Sequence, residues 1–234
     1  MSDQPQHFEL AGPESLPDHG QPANSPQRQR AALQRGLQFV GPDQPTRRAE
    51  MLVALGTVEN ELGNNDAAWE AARFALDISV QIEGWAGAVE ACDVLFESGR
   101  PDALKALAHG IWLAVTYPID PELTVELLGR LVEEAAHDDI GAVAATTANY
   151  VAQLRAPDGE AGDKAREKAR LLLNAVAWTH GKVKDQQDFD IWYRTNQLDD
   201  PGIFLPLLSR AMDKIVADDW WFDRDALRAK IPAE

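Results

Sequence analysis

Apolar residues recur at three- and four-residue intervals through most of the chain, most plainly in Met51–Asp77. Leu52, Leu55, Val58 and Leu62 form one stripe, which predicts a helix from about Thr46 to Leu62. Thr46 is a suitable cap, and Gly63 a suitable left-handed terminator. A second helix is predicted after Asn65 or Asp66, with Ala68, Ala71, Ala72, Ala75 and Leu76 on one side. So many small side chains let two backbones approach closely, and the short turn between the helices forces them antiparallel.

The same plan returns downstream. Gly63 is matched 36 residues on by Gly99, followed by Pro101 at a helix-starting position. Asp120-Pro121-Glu122 is a start signal for a third pair. There Leu128-Gly129 repeats Leu55-Gly56 after 73 residues, and Gly141, Ala145 and Ala148 take the small positions of its second helix. A fixed pitch of helix pairs predicts an all-α, antiparallel helix-pair solenoid over residues 31–157.

The flanks differ. Residues 1–30 hold Pro5, Pro13, Pro17, Pro22 and Pro26 among polar residues and are expected to be a disordered tail. Residues 31–40 suit a short helix docking on the first pair. Residues 158–234 are expected to be a helical cap. In it, Asp163 would start a helix to about Val183, with Leu171, Leu172, Ala175 and Val176 inward and Lys164, Arg166, Lys168 and Arg170 outward. Residues 184–200 read as a polar connector, and Asp200-Pro201 as the start of a helix to Asp218, bent at Pro206. Trp220, Trp221 and Phe222 are expected to seal the exposed face of the terminal repeat.

Leu55-Gly56, Gly63, Ala68 and Ala75-Leu76 stand at the spacing of the tetratricopeptide repeat, which residues 49–84 resemble. Leu52 replaces the usual Trp, Glu59 the usual Tyr, and Val80 the closing Pro. The resemblance implies a wall formed by the first helix of each pair, facing inward. Matched position by position, that wall would present Glu50, Asn60 and Glu61, then Val89, Glu90, Asp93, Phe96 and Glu97, then Glu126, Arg130, Glu133 and Glu134.

Charge sharpens this expectation. Of the formal net charge of −16, residues 49–157 hold eighteen acids against five bases. Such a chain repels nucleic acid and anionic membrane and attracts a basic or amphipathic protein segment. The expected function is therefore a non-catalytic interaction module, a scaffold, adaptor or assembly chaperone holding such a segment in an acidic groove. No cofactor and no metal are expected.

Other chemistry is sparse. The single Cys92 excludes an intrachain disulfide. Met1–Gly20 lacks a basic stretch leading into an apolar run, so no signal peptide and a cytoplasmic setting are expected. No glycine loop for phosphate and no nucleophile elbow is present. Glu134-x-x-His137 is one half of what a di-iron bundle needs. His137-Asp138, with His109 upstream, resembles the His-Asp motif of helical metal-dependent phosphohydrolases, though Asp139 interrupts it. A small-ligand sensor built on Trp178, Trp192 and Trp221 is the third alternative.

Overall fold

The computed structural model describes residues 25–135 and 139–230, and its described residues contain helices and no strand. The helices are α1 (Pro26–Leu37), α2 (Pro45–Glu61), α3 (Asn65–Gln81), α4 (Trp85–Glu97), α5 (Ala103–Thr116), α6 (Pro121–Glu134), α7 (Asp139–Arg155), α8 (Glu160–Thr179), α9 (Gln186–Thr195), α10 (Pro201–Val216) and α11 (Arg224–Arg228). Each of α1 to α7 packs on the next along the chain, giving an all-α, solenoid-like stack.

Local chemistry explains the boundaries. Gly63 and Gly99 follow α2 and α4 with φ of 74° and 62°, the left-handed turn that only glycine adopts without strain. Asp120 accepts the Glu122 N–H, and Asp200 accepts the Gly202 N–H, with proline next to each cap. Close approach is likewise built from small residues. A Cβ placed on Gly56 would stand 2.8 Å from Val94 Cγ1, and one on Gly110 would stand 2.7 Å from Leu127 Cδ2. Ala68, Ala72, Ala75, Leu76, Leu95 and Leu107 are buried in this seam. Each such leucine contributes about 2–3 kcal/mol by leaving water.

The stack has two walls. The first helices line one side, with α2 against α4 and α6 against α8. The second helices α3, α5 and α7 form the other, and there α10 lies across α5 and α7.

Several expectations need correction. Residues 26–30, assigned to the tail, form the first turn of α1, where Pro26 takes an opening position and Arg30 reaches Glu59. The rest of the tail, residues 1–24, lies outside the described residues. The connector of 184–200 contains α9, whose cap Asp185 accepts the Asp188 N–H and whose Phe189, Trp192 and Tyr193 share one face. Helix α8 starts at Glu160 and buries Val176 as expected, but turns Leu171 and Ala175 outward and buries Ala165, Ala169, Leu173 and Ala177 instead. Helix α10, by contrast, starts at Pro201 after its Asp200 cap and runs through Pro206 to Val216, close to the expected span.

The aromatic cluster sits elsewhere than expected. Trp220, Trp221 and Phe222 fold back over α3 and α5, on the second-helix side of the first two pairs. Trp221 meets Trp69 edge-on at 5.8 Å and lies under the Arg73 guanidinium at 4.7 Å. Ion pairs pin the segment at both ends, Lys105 to Asp219 at 2.9 Å and Lys230 to Glu83 at 2.5 Å.

Candidate functional site: the first-helix wall

The twelve wall residues separate into four groups. Val89 does not belong to the wall at all. It is 0% exposed, because α4 is wedged between α2, α3 and α5 and this position faces that seam. Asn60 is spent on structure, its Nδ2 donating to the Val94 carbonyl at 2.9 Å and tying α2 to α4.

A second group is a closed ion-pair cluster. Arg130 on α6 reaches α4, with Nε 2.7 Å from Asp93 Oδ1 and a terminal amino group donating to Asp93 Oδ2 at 3.1 Å and to Glu97 Oε1 at 2.6 Å. Its guanidinium lies 5.6 Å from the centre of the Phe96 ring. Burial would lower the Arg130 pKa, but Asp93 and Glu97 together raise it. For Asp93, burial outweighs the attraction of Arg130 and leaves the carboxyl above its ordinary range. The cluster clamps α6 to α4 and offers little free charge to a partner.

The third group lines a cleft of about 460 Å³ between α6 and α8, where Glu126, Arg130 and Glu133 face Lys168 and Leu172. Lys168 donates to Glu126 at 2.5 Å, so the basic face of α8 neutralises part of the wall. Gly129, the second copy of the Leu-Gly motif, opens this cleft: the nearest atom to an added Cβ is Leu172 Cδ2 at 3.9 Å.

The fourth group is the acids left over. Glu50, Glu61, Glu90, Glu133 and Glu134 make no ion pair among the described residues. Glu61, Glu133 and Glu134 are exposed near the ends of α2 and α6. Glu90 has its carboxyl pushed up, by burial first and by the charge of Glu50 second.

Those residues of the alternative readings that the structure describes do not converge. His109 is buried, its Nδ1–H donates to the Lys105 carbonyl at 2.6 Å, and its Nε2 accepts the Trp221 N–H at 3.0 Å. Neither ring nitrogen has a lone pair free for a metal. Its burial lowers the pKa to about 4, against the opposing hydrogen bond to Lys105. His137 and Asp138 lie outside the described residues. Among the described residues, no group of three or more His, Cys, Asp or Glu side chains is arranged to hold a metal ion. The three tryptophans are dispersed: Trp192 lines a cleft of about 520 Å³ with His180 and Leu198, Trp178 lines another, and Trp221 stacks on His109. Cys92 is buried, and that burial raises its thiol pKa far above the reactive range.

No helix among the described residues is long and apolar enough to cross a membrane. Compared with protein-family models, curated proteins and solved structures, the chain finds no match.

Proposed function

We propose that this chain is a tetratricopeptide-like interaction module, an adaptor or assembly chaperone of the reducing cytoplasm, whose first-helix wall holds a basic or amphipathic segment of another protein. The observation that carries the reading is an asymmetry between the two walls. The second-helix wall is covered by the chain's own α10 and by Trp220–Phe222. The first-helix wall is left open and carries Glu50, Glu61, Glu90, Glu133 and Glu134 without basic partners among the described residues.

An open row of uncompensated carboxylates attracts a basic segment over about a Debye length and selects it against acidic competitors. Apolar footholds beside those acids, such as Leu172 in the α6–α8 cleft, supply the burial that holds it. The repeat reading is supported by the pattern residues themselves: Gly56, Ala68 and Ala75 all lie in tight interhelix contacts, and Gly63 takes the expected left-handed turn.

The test is calorimetric titration of the full chain with an amphipathic lysine- and leucine-containing peptide and with its glutamate counterpart. The lysine peptide binds, and its affinity falls steeply between low and moderate salt. Glu61→Lys and Glu133→Lys weaken it, while Glu70→Lys on exposed α3 surface does not. Equal effects at all three positions, or no preference for the basic peptide, overturn the proposal.

A further inference from the structure

At one end of the first-helix wall, the opening turns of α2 and α4 meet the last turn of α3 around a cleft of about 290 Å³. Glu50 comes from α2 and Glu90 from α4, and neither meets a basic side chain among the described residues. Arg47, one turn before Glu50, is exposed and pairs with neither. Two facing carboxylates without a counter-charge hold each other in an unfavourable state that a cation relieves.

The cleft has more than charge. Ser79, 1% exposed, lines it, and its hydroxyl makes no hydrogen bond among the described residues. A hydroxyl left without a partner on so buried a residue is uncommon. Its Oγ faces Gly87, where an added Cβ would come within 3.1 Å. The missing side chain at Gly87 therefore keeps the hydroxyl accessible from the cleft. Trp85 forms another side and is braced by a face-to-face stack on Tyr117, with ring centres 4.1 Å apart and planes 9° from parallel.

Two carboxylates, a hydroxyl oxygen and a fixed indole match one kind of side chain. A guanidinium offers five N–H donors in a planar fork and stacks on aromatic rings, whereas an ammonium is a compact point charge without a plane. We propose that this cleft receives a single arginine side chain of the partner segment, with Glu50 and Glu90 accepting from the guanidinium and Trp85 beside it. The proposal rests on the first-helix wall being the partner-binding face, and it names the residue read there.

The experiment titrates the full chain with the peptide acetyl-Ala-Leu-Ala-Arg-Ala-Leu-Ala-amide and with versions carrying lysine or the neutral isostere citrulline. The arginine peptide binds about tenfold or more tightly than the citrulline one, with lysine between, as charge-assisted pairing requires. Glu90→Gln and Glu50→Gln bring arginine down to the citrulline level, and Ser79→Ala narrows the gap between arginine and lysine. Nuclear magnetic resonance titration of Glu90 shows its pKa falling when the arginine peptide is added. Equal binding of arginine and citrulline peptides overturns the proposal. So does an arginine preference that survives at Glu50 and Glu90 but is lost in Glu133→Lys, although the acidic-wall reading then stands. Failure of every basic peptide to bind overturns both.

Discussion

His109 and Trp221 are stacked with ring centres 4.3 Å apart and planes 14° from parallel, across 112 residues of chain, and the Trp221 N–H donates to His109 Nε2. This contact fixes where the C-terminal segment crosses the solenoid. It also carries a pH dependence. The acceptor nitrogen must be unprotonated, and burial lowers the His109 pKa to about 4, below the ordinary value of 6.5. The unfolded chain then binds more protons than the folded one between those values. The stability from neutral His109 is complete above about pH 6.5, declines as pH falls, and is gone below about pH 4. The difference amounts to on the order of 3 kcal/mol. Arg73 and Lys105 facing the ring work in the same direction, and Asp219 opposes them. Urea unfolding followed between pH 7 and pH 4 should show this slope, and His109→Phe should flatten it while lowering stability at pH 7.

Two mid-helix glycines, one buried and one beside a cleft, respond oppositely to alanine. Alanine at position 110 places its Cβ 2.7 Å from Leu127 Cδ2 and 2.9 Å from Cys92 Cβ. The overpacking costs about 1–3 kcal/mol and outweighs the helix-propensity gain of about 1 kcal/mol. At position 129 the nearest atom is 3.9 Å away, so only the gain remains. Thermal melts should place Gly110→Ala below the parent chain and Gly129→Ala above it. A Gly129→Ala chain that melts lower refutes the open geometry between α6 and α8.

Much of the stack was legible because its signals are local. Gly63 and Gly99, the aspartate-proline starts at 120 and 200, and the alanines of α3 all act within a few residues of themselves. Helix α9 was missed although its signal, Asp185 followed by Phe189, Trp192 and Tyr193, is local, because its polar composition obscured it. The covering of the second-helix wall was not. Contacts such as Lys230 with Glu83 span 147 residues, and no pattern near either residue announces the other. At the wall, repeat spacing located α2, α4 and α6 but not which acids would be free. Arg130 takes up Asp93 and Glu97, and Lys168 takes up Glu126, through pairings set by tertiary packing. Val89 shows the limit of position matching, since on α4 the matched position turns into the seam with α2, α3 and α5 and is core.

Glu59 is 2% exposed and stands where the resembled repeat carries tyrosine; it accepts from Arg30 Nε at 2.7 Å and from Asn64 Nδ2 at 2.7 Å. This buried carboxylate fastens α1 to the turn between α2 and α3. Arg30→Ala leaves it with the amide alone, and losing one partner of a buried pair costs about 3 kcal/mol. Arg30 itself is partly exposed, so about half that loss is expected here. Hydrogen exchange should report it as faster opening of Pro26–Leu37, with α6 and α7 unchanged.

Arg130 joins stability to the character of the wall. It is the cation that Asp93 and Glu97 share, and it bridges α6 to α4. Arg130→Lys keeps the charge but loses the fork, so Asp93 retains a single contact in place of two. Arg130→Ala leaves Asp93 without a counter-charge at a side chain only 18% exposed. The expected destabilisation is about 1–3 kcal/mol for alanine and smaller for lysine. The same alanine variant adds two free acids to the open wall. If that wall attracts a basic segment, Arg130→Ala should bind the lysine and leucine peptide faster at low salt despite melting lower. Stopped-flow association and thermal melting, measured on one preparation, separate the two effects. A variant that is less stable and no faster to associate would mark Asp93 and Glu97 as purely structural.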